Sequence, residues 1–164
     1  MEIDDKLTLI EIWDTTGQER FAKLASSYYK KAMGVMLSYA VNDRTSFERV
    51  EFWMNQVLQQ STESISKMLI ATKEDLPENE RKVSFDEGNA LAQKYGIKFF
   101  ETSAKSGLNV NEAFCAMAKE VIEINPKCLQ KVNEGNMQKS NGGQSNVKLN
   151  QPPANVQRQS NGCC

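Results

Sequence analysis

Histidine is absent from the 164 residues, and none of the nine glycines is followed by lysine. The first absence excludes Ser-His-Asp and Cys-His catalysis and every metal site that uses histidine. The second removes G-x-x-x-x-G-K-S/T, the loop whose N–H groups and lysine hold nucleotide phosphates. No stretch approaches the roughly 18 apolar residues of a membrane span, and no signal peptide opens the chain. We therefore expect a cytosolic context.

Composition and charge divide the chain in two. With 40% apolar and 25% charged residues, it has the makeup of one soluble globular domain. Residues 1–124 hold 15 Lys+Arg against 20 Asp+Glu, a net of −5, which argues against nucleic acid as a partner. Residues 125–164 hold 5 against 1, a net of +4, and are poor in large apolar side chains. We predict a domain over 1–124 and a disordered tail over 125–164.

The body alternates strand-like and helix-like segments. Short apolar or alternating runs predict strands at residues 7–13, 34–39, 67–71 and 97–100. Helices are predicted after two capping boxes, at residues 45–48 and 84–87, and from Val110 to just before Pro126. The apolar stripe of the first helix comprises Phe47, Val50, Met54, Val57 and Leu58, and the last helix turns Ala113, Met117 and Ile124 inward. This order predicts a three-layer α/β sandwich with right-handed crossovers.

Polar residues follow three of the predicted strands, at the edge of the sheet where ligands of such folds bind. Residues 14–18 read Asp-Thr-Thr-Gly-Gln, residues 72–75 read Thr-Lys-Glu-Asp, and residues 102–105 read Thr-Ser-Ala-Lys. The apolar stems of Lys73 and Lys105 can sandwich a flat ring. The carboxylate of Asp75 can accept two N–H bonds from one edge of a base, which guanine offers through N1–H and its amine.

Four motifs together resemble the Rab family of small GTPases, in the Ras superfamily. They are I-W-D-T-T-G-Q-E-R-F at residues 12–21, the pair Tyr28-Tyr29, E-T-S-A-K at 101–105, and the terminal Cys163-Cys164. The resemblance covers residues 2–124 and the last two residues. It implies the small-GTPase fold, GTP/GDP and Mg²⁺ as ligands, GTP hydrolysis, and a role as a switch in membrane traffic.

The resemblance also implies roles for single residues. Asp14 matches the residue that reaches Mg²⁺, and Gly17 matches the residue whose N–H contacts the γ-phosphate. Gln18 matches the catalytic glutamine that orients the attacking water. Six residues match the base-binding motifs of the family, namely Thr72, Lys73 and Asp75 of the N-K-x-D motif and Ser103, Ala104 and Lys105 of the loop that closes over the base.

Residues of the surface and of the tail also resemble residues of the Rab family. Trp13 and Tyr28 resemble two aromatics that Rab proteins present to effectors, and Cys163-Cys164 resembles the doubly geranylgeranylated end. The implied partners are Rab regulators and effectors, the prenylation escort machinery, and a membrane contacted through the lipid anchor. The implied location is the cytosol and the cytosolic face of intracellular membranes.

The sequence departs from the family at its beginning and at two motif positions. It starts where the second strand of the family would start, so we expect the central first strand, the phosphate loop and switch I to be missing. Thr72 replaces an asparagine whose amide contacts the base, and Thr16 replaces a usual alanine. We therefore expect impaired nucleotide binding by this chain and a tendency to aggregate.

Other interpretations of the same residues remain open at this stage. Asp14 could be a turn residue, and Lys73 with Asp75 a solvated turn before Pro77. Trp13 and Tyr28 could be core aromatics, and the terminal cysteines could be unmodified thiols. The alternative to a GTPase is a non-catalytic Rab-like fragment, or an interaction module with a prenylated tail.

Overall fold

The computed structural model describes residues 1–4, 6–18, 28–61 and 65–128. Its strands are β1 (Glu2–Ile3), β2 (Lys6–Leu7), β3 (Gly34–Ala40), β4 (Ser66–Thr72) and β5 (Lys98–Glu101). Its helices are α1 (Arg44–Glu48), α2 (Val50–Gln60), α3 (Phe85–Tyr95) and α4 (Val110–Ile124). Short 3-10 turns lie at Glu78–Glu80 and Pro126–Cys128.

The sheet is parallel and has the order β3-β4-β5. Its register runs from Gly34 opposite Ser66 to Ala40 opposite Thr72. All three strands correspond to predicted ones, with boundaries within two residues. Parallel pairing places the carboxyl ends of the three strands at one edge, as expected from the sequence.

Side chains alternate across the sheet and build a core on each face. Leu69 belongs to a core with Met54 of α2 and Ala92 of α3. Its neighbour Met68 belongs to a second core with Met117 of α4. Because strand side chains have a period of two, one apolar strand supplies both cores. The predicted three-layer α/β sandwich is confirmed, with α2 and α3 on one face and α4 on the other.

The ends of α3 agree with the sequence, whereas the start of α1 differs. Ser84 and Glu87 form the predicted capping box, and Gly96 ends α3 in the left-handed conformation at φ 62°. The box predicted at Thr45 is wrong, because Asp43 occupies the N-cap instead. The Asp43 carboxylate accepts from the N–H groups of Thr45 and Ser46 at 3.0 and 3.3 Å, so the helix begins earlier than predicted. The single helix predicted here is also divided at Arg49 into α1 and α2.

The apolar stripes are largely as predicted, with outliers at the helix ends. Val50, Met54 and Val57 are buried, while Leu58 is exposed. In α4, residues Ala113 and Met117 are buried, whereas Ile124 is exposed in the last turn. The helix ends at Ile124, before Pro126, as predicted. Residues 129–164, most of the predicted tail, lie outside the described residues.

The predicted strand at residues 7–13 does not form. Only Leu7 belongs to a strand, in the short hairpin where Lys6–Leu7 pairs with Glu2–Ile3. Residues 8–18 have no regular secondary structure, and Leu9 and Trp13 are 89% and 63% exposed. Alternating apolar residues make a strand only when a neighbouring backbone pairs with them. No described strand lies beside residues 8–13, so the pattern has nothing to pair with.

Candidate nucleotide-binding site

Two loops meet at the carboxyl edge of the sheet, one after β4 and one after β5. The N–H of Thr102 donates to the carbonyl of Ala71 at 2.7 Å, and the N–H of Glu74 donates to the carbonyl of Thr102 at 3.1 Å. These bonds continue the β4-β5 pairing into the loops. The loops after the third and fourth predicted strands therefore converge, as expected from the sequence.

Asp75 and Ser103 join the two loops directly. The Ser103 hydroxyl donates to Asp75 Oδ1, and the same hydroxyl oxygen accepts from the N–H groups of Lys105 and Ser106 at 3.2 and 3.1 Å. Ser103 is fully buried, and these three hydrogen bonds hold its hydroxyl in one orientation. By resemblance Ser103 belongs to the loop that closes over the base. In the structure its hydroxyl contacts the carboxylate of Asp75.

The Asp75 carboxylate is kept charged by this arrangement. The Ser103 hydrogen bond lowers the pKa of Asp75 below its usual value, with help from a backbone hydrogen bond and the charge of Lys105. A carboxylate is an acceptor with about four lone-pair directions, so one bond from Ser103 leaves room for two more donors. Lys105 Nζ lies 3.7 Å from Asp75 Oδ2 on a side chain that is 83% exposed. This ion pair is long, and the Lys105 side chain lies mostly in solvent.

Lys73 and Ala104 lie on the rim of the same loops. Lys73 adopts the left-handed conformation at φ 65°, its carbonyl accepts from the N–H of Leu76 at 3.2 Å, and its side chain is exposed. Lys73 Nζ lies 3.5 Å from the amide oxygen of Asn42, in the loop after β3. Ala104 is exposed in the turn that contains Lys105. Both lysine side chains, Lys73 and Lys105, are thus exposed at the carboxyl edge of the sheet.

Thr72 has a structural contact of its own. Its hydroxyl donates to the carbonyl of Tyr39 at 2.9 Å, and its carbonyl accepts from the N–H of Val41 at 3.0 Å. Thr72 thereby ties the ends of β3 and β4 together. Its hydroxyl is directed to a neighbouring strand, so the amide contact of the family's asparagine has no replacement from this side chain.

Asp14, Gly17 and Gln18 lie in the exposed segment of residues 8–18. The N–H of Gln18 donates to the Thr16 hydroxyl at 3.4 Å, and the space around Gly17 is open. Because residues 7–13 form no strand, the predicted strand-end loop of Asp14 is not present. Among the described residues no group of three or more acidic or cysteine side chains could hold a metal ion. A lone Asp14 fits Mg²⁺ only together with a phosphate, so we assign no chemical step to the metal.

Trp13 and Tyr28 form a pair on the surface. Their ring centroids are 5.4 Å apart with a tilt of 38°, and the residues are 63% and 41% exposed. Tyr29 is buried in the core instead. The interpretation of Trp13 and Tyr28 as core aromatics is therefore wrong, and the two rings form one exposed apolar patch.

Two side chains that the sequence did not single out, Arg81 and Asn109, stabilise the end of β5. Arg81 donates to both oxygens of Glu101 at 2.7 and 3.0 Å, a bidentate pair with both side chains almost buried. Asn109 donates from its amide to the carbonyl of Glu101 at 2.8 Å. Both contacts fix the end of β5, just before Thr102. Arg81 and Glu101 are 20 residues apart in the sequence, and no local pattern connects them.

The predicted lipid sites, Cys163 and Cys164, lie outside the described residues. Within the part of the chain that the structure describes, no helix has the length and apolar character to cross a bilayer.

Comparison with known proteins gives a consistent result. A model of the Ras family matches residues 1–123. Ras-related protein RABE1e of Arabidopsis thaliana is 45% identical over 121 residues, which are 74% of this chain and 56% of that protein. GTP-binding protein ypt2 of Schizosaccharomyces pombe is 46% identical over 121 residues, 74% of this chain and 60% of its own length. Ras-related protein Rab-13 of Bos taurus is 39% identical over 122 residues, with coverage of 74% and 60%.

A parallel sheet between helical layers, with polar loops at its carboxyl edge, is the fold of an incomplete P-loop NTPase-like domain. The chain belongs to the Ras family, and its relatives identify it as a Rab-family small GTPase. It spans 56 to 60% of the length of these relatives.

Proposed function

We propose that this chain contributes the base-binding side of a Rab-type GTP site, and that the protein acts as a GTP-dependent switch in membrane traffic. The observation that carries the proposal is the Asp75 carboxylate, which Ser103 holds at the meeting point of the loops after β4 and β5. A charged, oriented acceptor at the carboxyl edge of a parallel sheet is suited to a purine that offers two adjacent N–H donors.

In this proposal Asp75 selects guanine. Its carboxylate accepts from N1–H and the exocyclic amine, and adenine does not offer two donors in that arrangement. The stems of Lys73 and Lys105 cover the two faces of the ring, and Ser103 with Ala104 shapes the loop that closes over it. Thr72 sits beside this site, and its hydroxyl is bonded to Tyr39. In this proposal the base side therefore lacks the amide contact of the family's asparagine.

Fewer residues of this chain are candidates for binding the phosphates and Mg²⁺ than for binding the base. By family resemblance Asp14 reaches Mg²⁺, Gly17 contacts the γ-phosphate and Gln18 orients the attacking water. The sequence contains no glycine followed by lysine, so it has no lysine of a phosphate loop. Phosphate and metal contacts are the main means of binding and catalysis in this class. We therefore expect this chain alone to bind GTP weakly, without measurable hydrolysis.

Titration of the purified chain with GTP and ATP, each with Mg²⁺, tests this proposal. We expect weak binding that favours GTP, and no phosphate release above background. Equal binding of GTP and ATP would contradict the guanine site. Submicromolar, Mg²⁺-dependent GTP binding would contradict the expected weakness on the phosphate side.

A second candidate function is that of a non-catalytic interaction module. The exposed pair of Trp13 and Tyr28 favours it, since clustered aromatics on a surface are typical anchors of protein interfaces. Binding of purified Rab effector domains to the wild type and to Trp13→Ala tests it. If the chain is an interaction module, the wild type should bind effector domains without nucleotide, and Trp13→Ala should abolish this binding. Binding that requires GTP favours the switch.

We further propose that the tail anchors the protein to the cytosolic face of a membrane. The pair Cys163-Cys164 resembles the doubly geranylgeranylated end of Rab proteins, so we expect modification by the Rab-specific route through the escort machinery. Two lipid chains give stable attachment, whereas one gives only marginal attachment. The net charge of +4 over residues 125–164 adds weak attraction to anionic lipid.

A further inference from the structure

Asn109 lies at the start of α4 but does not cap the helix with its side chain. It is the N-cap residue, yet its side chain makes no hydrogen bond to the N–H groups of the first turn. An asparagine at this position ordinarily accepts from one of those N–H groups. Here the side-chain amide is directed back to β5 instead, and it donates to the carbonyl of Glu101 at 2.8 Å. Asn109 therefore links α4 to the strand that leads into the candidate base site.

The backbone conformation of Asn109 accompanies this unusual contact. Its φ of 54° and ψ of 10° are left-handed, whereas N-cap residues typically have extended values. Asparagine and aspartate are the residues besides glycine that adopt the left-handed conformation most readily. Of these three residue types only asparagine has a side chain that can donate to a carbonyl. The position therefore favours asparagine both for its backbone and for its amide.

The peptide group between Glu101 and Thr102 is held on both sides. Because a trans peptide directs its N–H and its carbonyl in opposite directions, the two groups bond to different neighbours. The N–H of Thr102 donates to the carbonyl of Ala71 in β4 at 2.7 Å, and the carbonyl of Glu101 accepts from the Asn109 amide. Without that amide, only the bond to β4 would remain of these two.

Ser103 follows this peptide group directly and begins the loop that carries the candidate base contacts. Its N–H donates to the carbonyl of Leu108 at 3.1 Å, which brings the two ends of the loop of residues 102–109 together. The Asn109 amide then fastens these joined ends to β5. Because the Ser103 hydroxyl donates to Asp75, a shift of the loop relative to β5 would move that donor away from the carboxylate.

We propose that Asn109 is a positioning residue for guanine binding, which holds Ser103 in place for its contact with Asp75. The inference rests on the proposed function, in which the Asp75 carboxylate selects guanine. Asn109 itself does not contact the base. Loss of its amide should loosen the loop and weaken the binding of a guanine nucleotide. Binding of ADP should not change, because adenine does not offer two adjacent N–H donors to the carboxylate.

NMR titration of the full chain with GDP and with ADP, each with Mg²⁺, tests the proposal in two variants. Asn109→Asp keeps the shape and the left-handed backbone but turns an acceptor toward the Glu101 carbonyl, and Asn109→Gly keeps the backbone without an amide. Each should raise the dissociation constant of GDP by about fivefold and leave that of ADP unchanged. Asn111→Asp, at an exposed position in the first turn of α4, adds the same charge and should change neither constant.

The pKa of Asp75, followed by NMR without nucleotide, is a readout that a purely structural role of Asn109 would not change. The hydrogen bond from Ser103 lowers this pKa. It should rise toward its ordinary value in Asn109→Gly and in Ser103→Ala. The double variant should show no further rise beyond Ser103→Ala, because Asn109 acts through Ser103.

Three results would overturn the proposal. The first is a folded Asn109→Gly in which neither the GDP constant nor the Asp75 pKa changes. The second is an equal loss of GDP and ADP binding, and the third is unfolding of both Asn109 variants, since each would show a purely structural role. A wild type that does not prefer GDP to ADP would instead contradict the proposed function, and the Asp75 pKa would still decide whether Asn109 holds Ser103.

Discussion

The Thr72 hydroxyl donates a 2.9 Å hydrogen bond to the carbonyl of Tyr39, across the carboxyl ends of β4 and β3. The Rab family has an asparagine at this position, and its amide contacts the base. In this chain the side chain links two strands instead. The local structure is therefore strengthened at a position where the family uses the side chain for ligand binding.

Thr72→Asn should strengthen guanine binding, because it restores the missing amide. One neutral hydrogen bond of about 1 kcal/mol corresponds to roughly fivefold in affinity. Thr72→Val is the matched control: it keeps the shape, removes the bond to Tyr39, and should lower the free energy of unfolding by about 1 kcal/mol without a gain in affinity. An unchanged affinity for Thr72→Asn would remove the support for an N-K-x-D motif here.

The position of the two loops that carry the candidate base site could be predicted from the sequence, because apolar runs indicate β4 and β5. Once those strands are parallel neighbours, Asp75 and Ser103 must follow at one edge of the sheet. The contact between them was not predictable, since either side chain could have faced solvent. The same holds for Arg81 and Glu101, whose pairing depends on the tertiary path of the chain between them.

The prediction for residues 7–13 failed for a different reason. The alternation of Thr8, Ile10 and Ile12 indicates only that the segment is suited to a sheet. A strand also needs a neighbouring backbone to pair with, and none of the described strands pairs with this segment. The cap of α1 was missed because Asp43, two residues before Thr45, is also a favourable N-cap residue. Its carboxylate accepts from the N–H groups of Thr45 and Ser46, so the helix begins before the predicted box.

The Arg81–Glu101 pair should be essential for stability. Both side chains are nearly buried, at 14% and 12% exposure, so removing one partner leaves an uncompensated charge. Arg81→Met should lower the free energy of unfolding by about 3 kcal/mol. The double variant with Glu101→Leu should recover most of that loss, since no charge remains buried. Urea denaturation measures both; equal losses in the single and double variants would contradict this explanation.

Glu87 should make the protein sensitive to acid. The hydrogen bond from Arg44, together with the bonds to Ser84, lowers the pKa of Glu87 to about 2. A carboxyl whose folded pKa lies below its unfolded value of 4.5 stabilises the fold above pH 4.5, and this stabilisation is lost as the pH falls toward 2. Glu87→Gln keeps an acceptor for the capping box but cannot titrate.

The free energy of unfolding, measured at pH 5 and pH 3, tests this effect. The decrease between the two values should be smaller in Glu87→Gln than in the wild type. Glu112→Gln, at an exposed position in the first turn of α4, is the control and should decrease like the wild type. Identical decreases in all three proteins would contradict the assigned pKa.

Membrane attachment should require both terminal cysteines. Cys163→Ser or Cys164→Ser alone should leave one lipid chain and marginal, reversible binding, and the double variant should remain in the soluble fraction. Intact-mass spectrometry and membrane fractionation from cells that contain the escort machinery measure this. Equal membrane binding of the double variant and the wild type would show that another part of the chain makes the attachment.

The most direct test of the central claim is the base preference of Asp75→Asn. In the wild type the carboxylate accepts from two guanine donors, so an NMR titration should give tighter binding for GDP than for XDP. The amide introduced by Asp75→Asn would offer a donor to the second carbonyl of xanthine, and the preference should shift toward XDP by roughly tenfold to a hundredfold. If Asp75→Asn keeps the wild-type preference for GDP, Asp75 does not read the base and the proposed site is wrong.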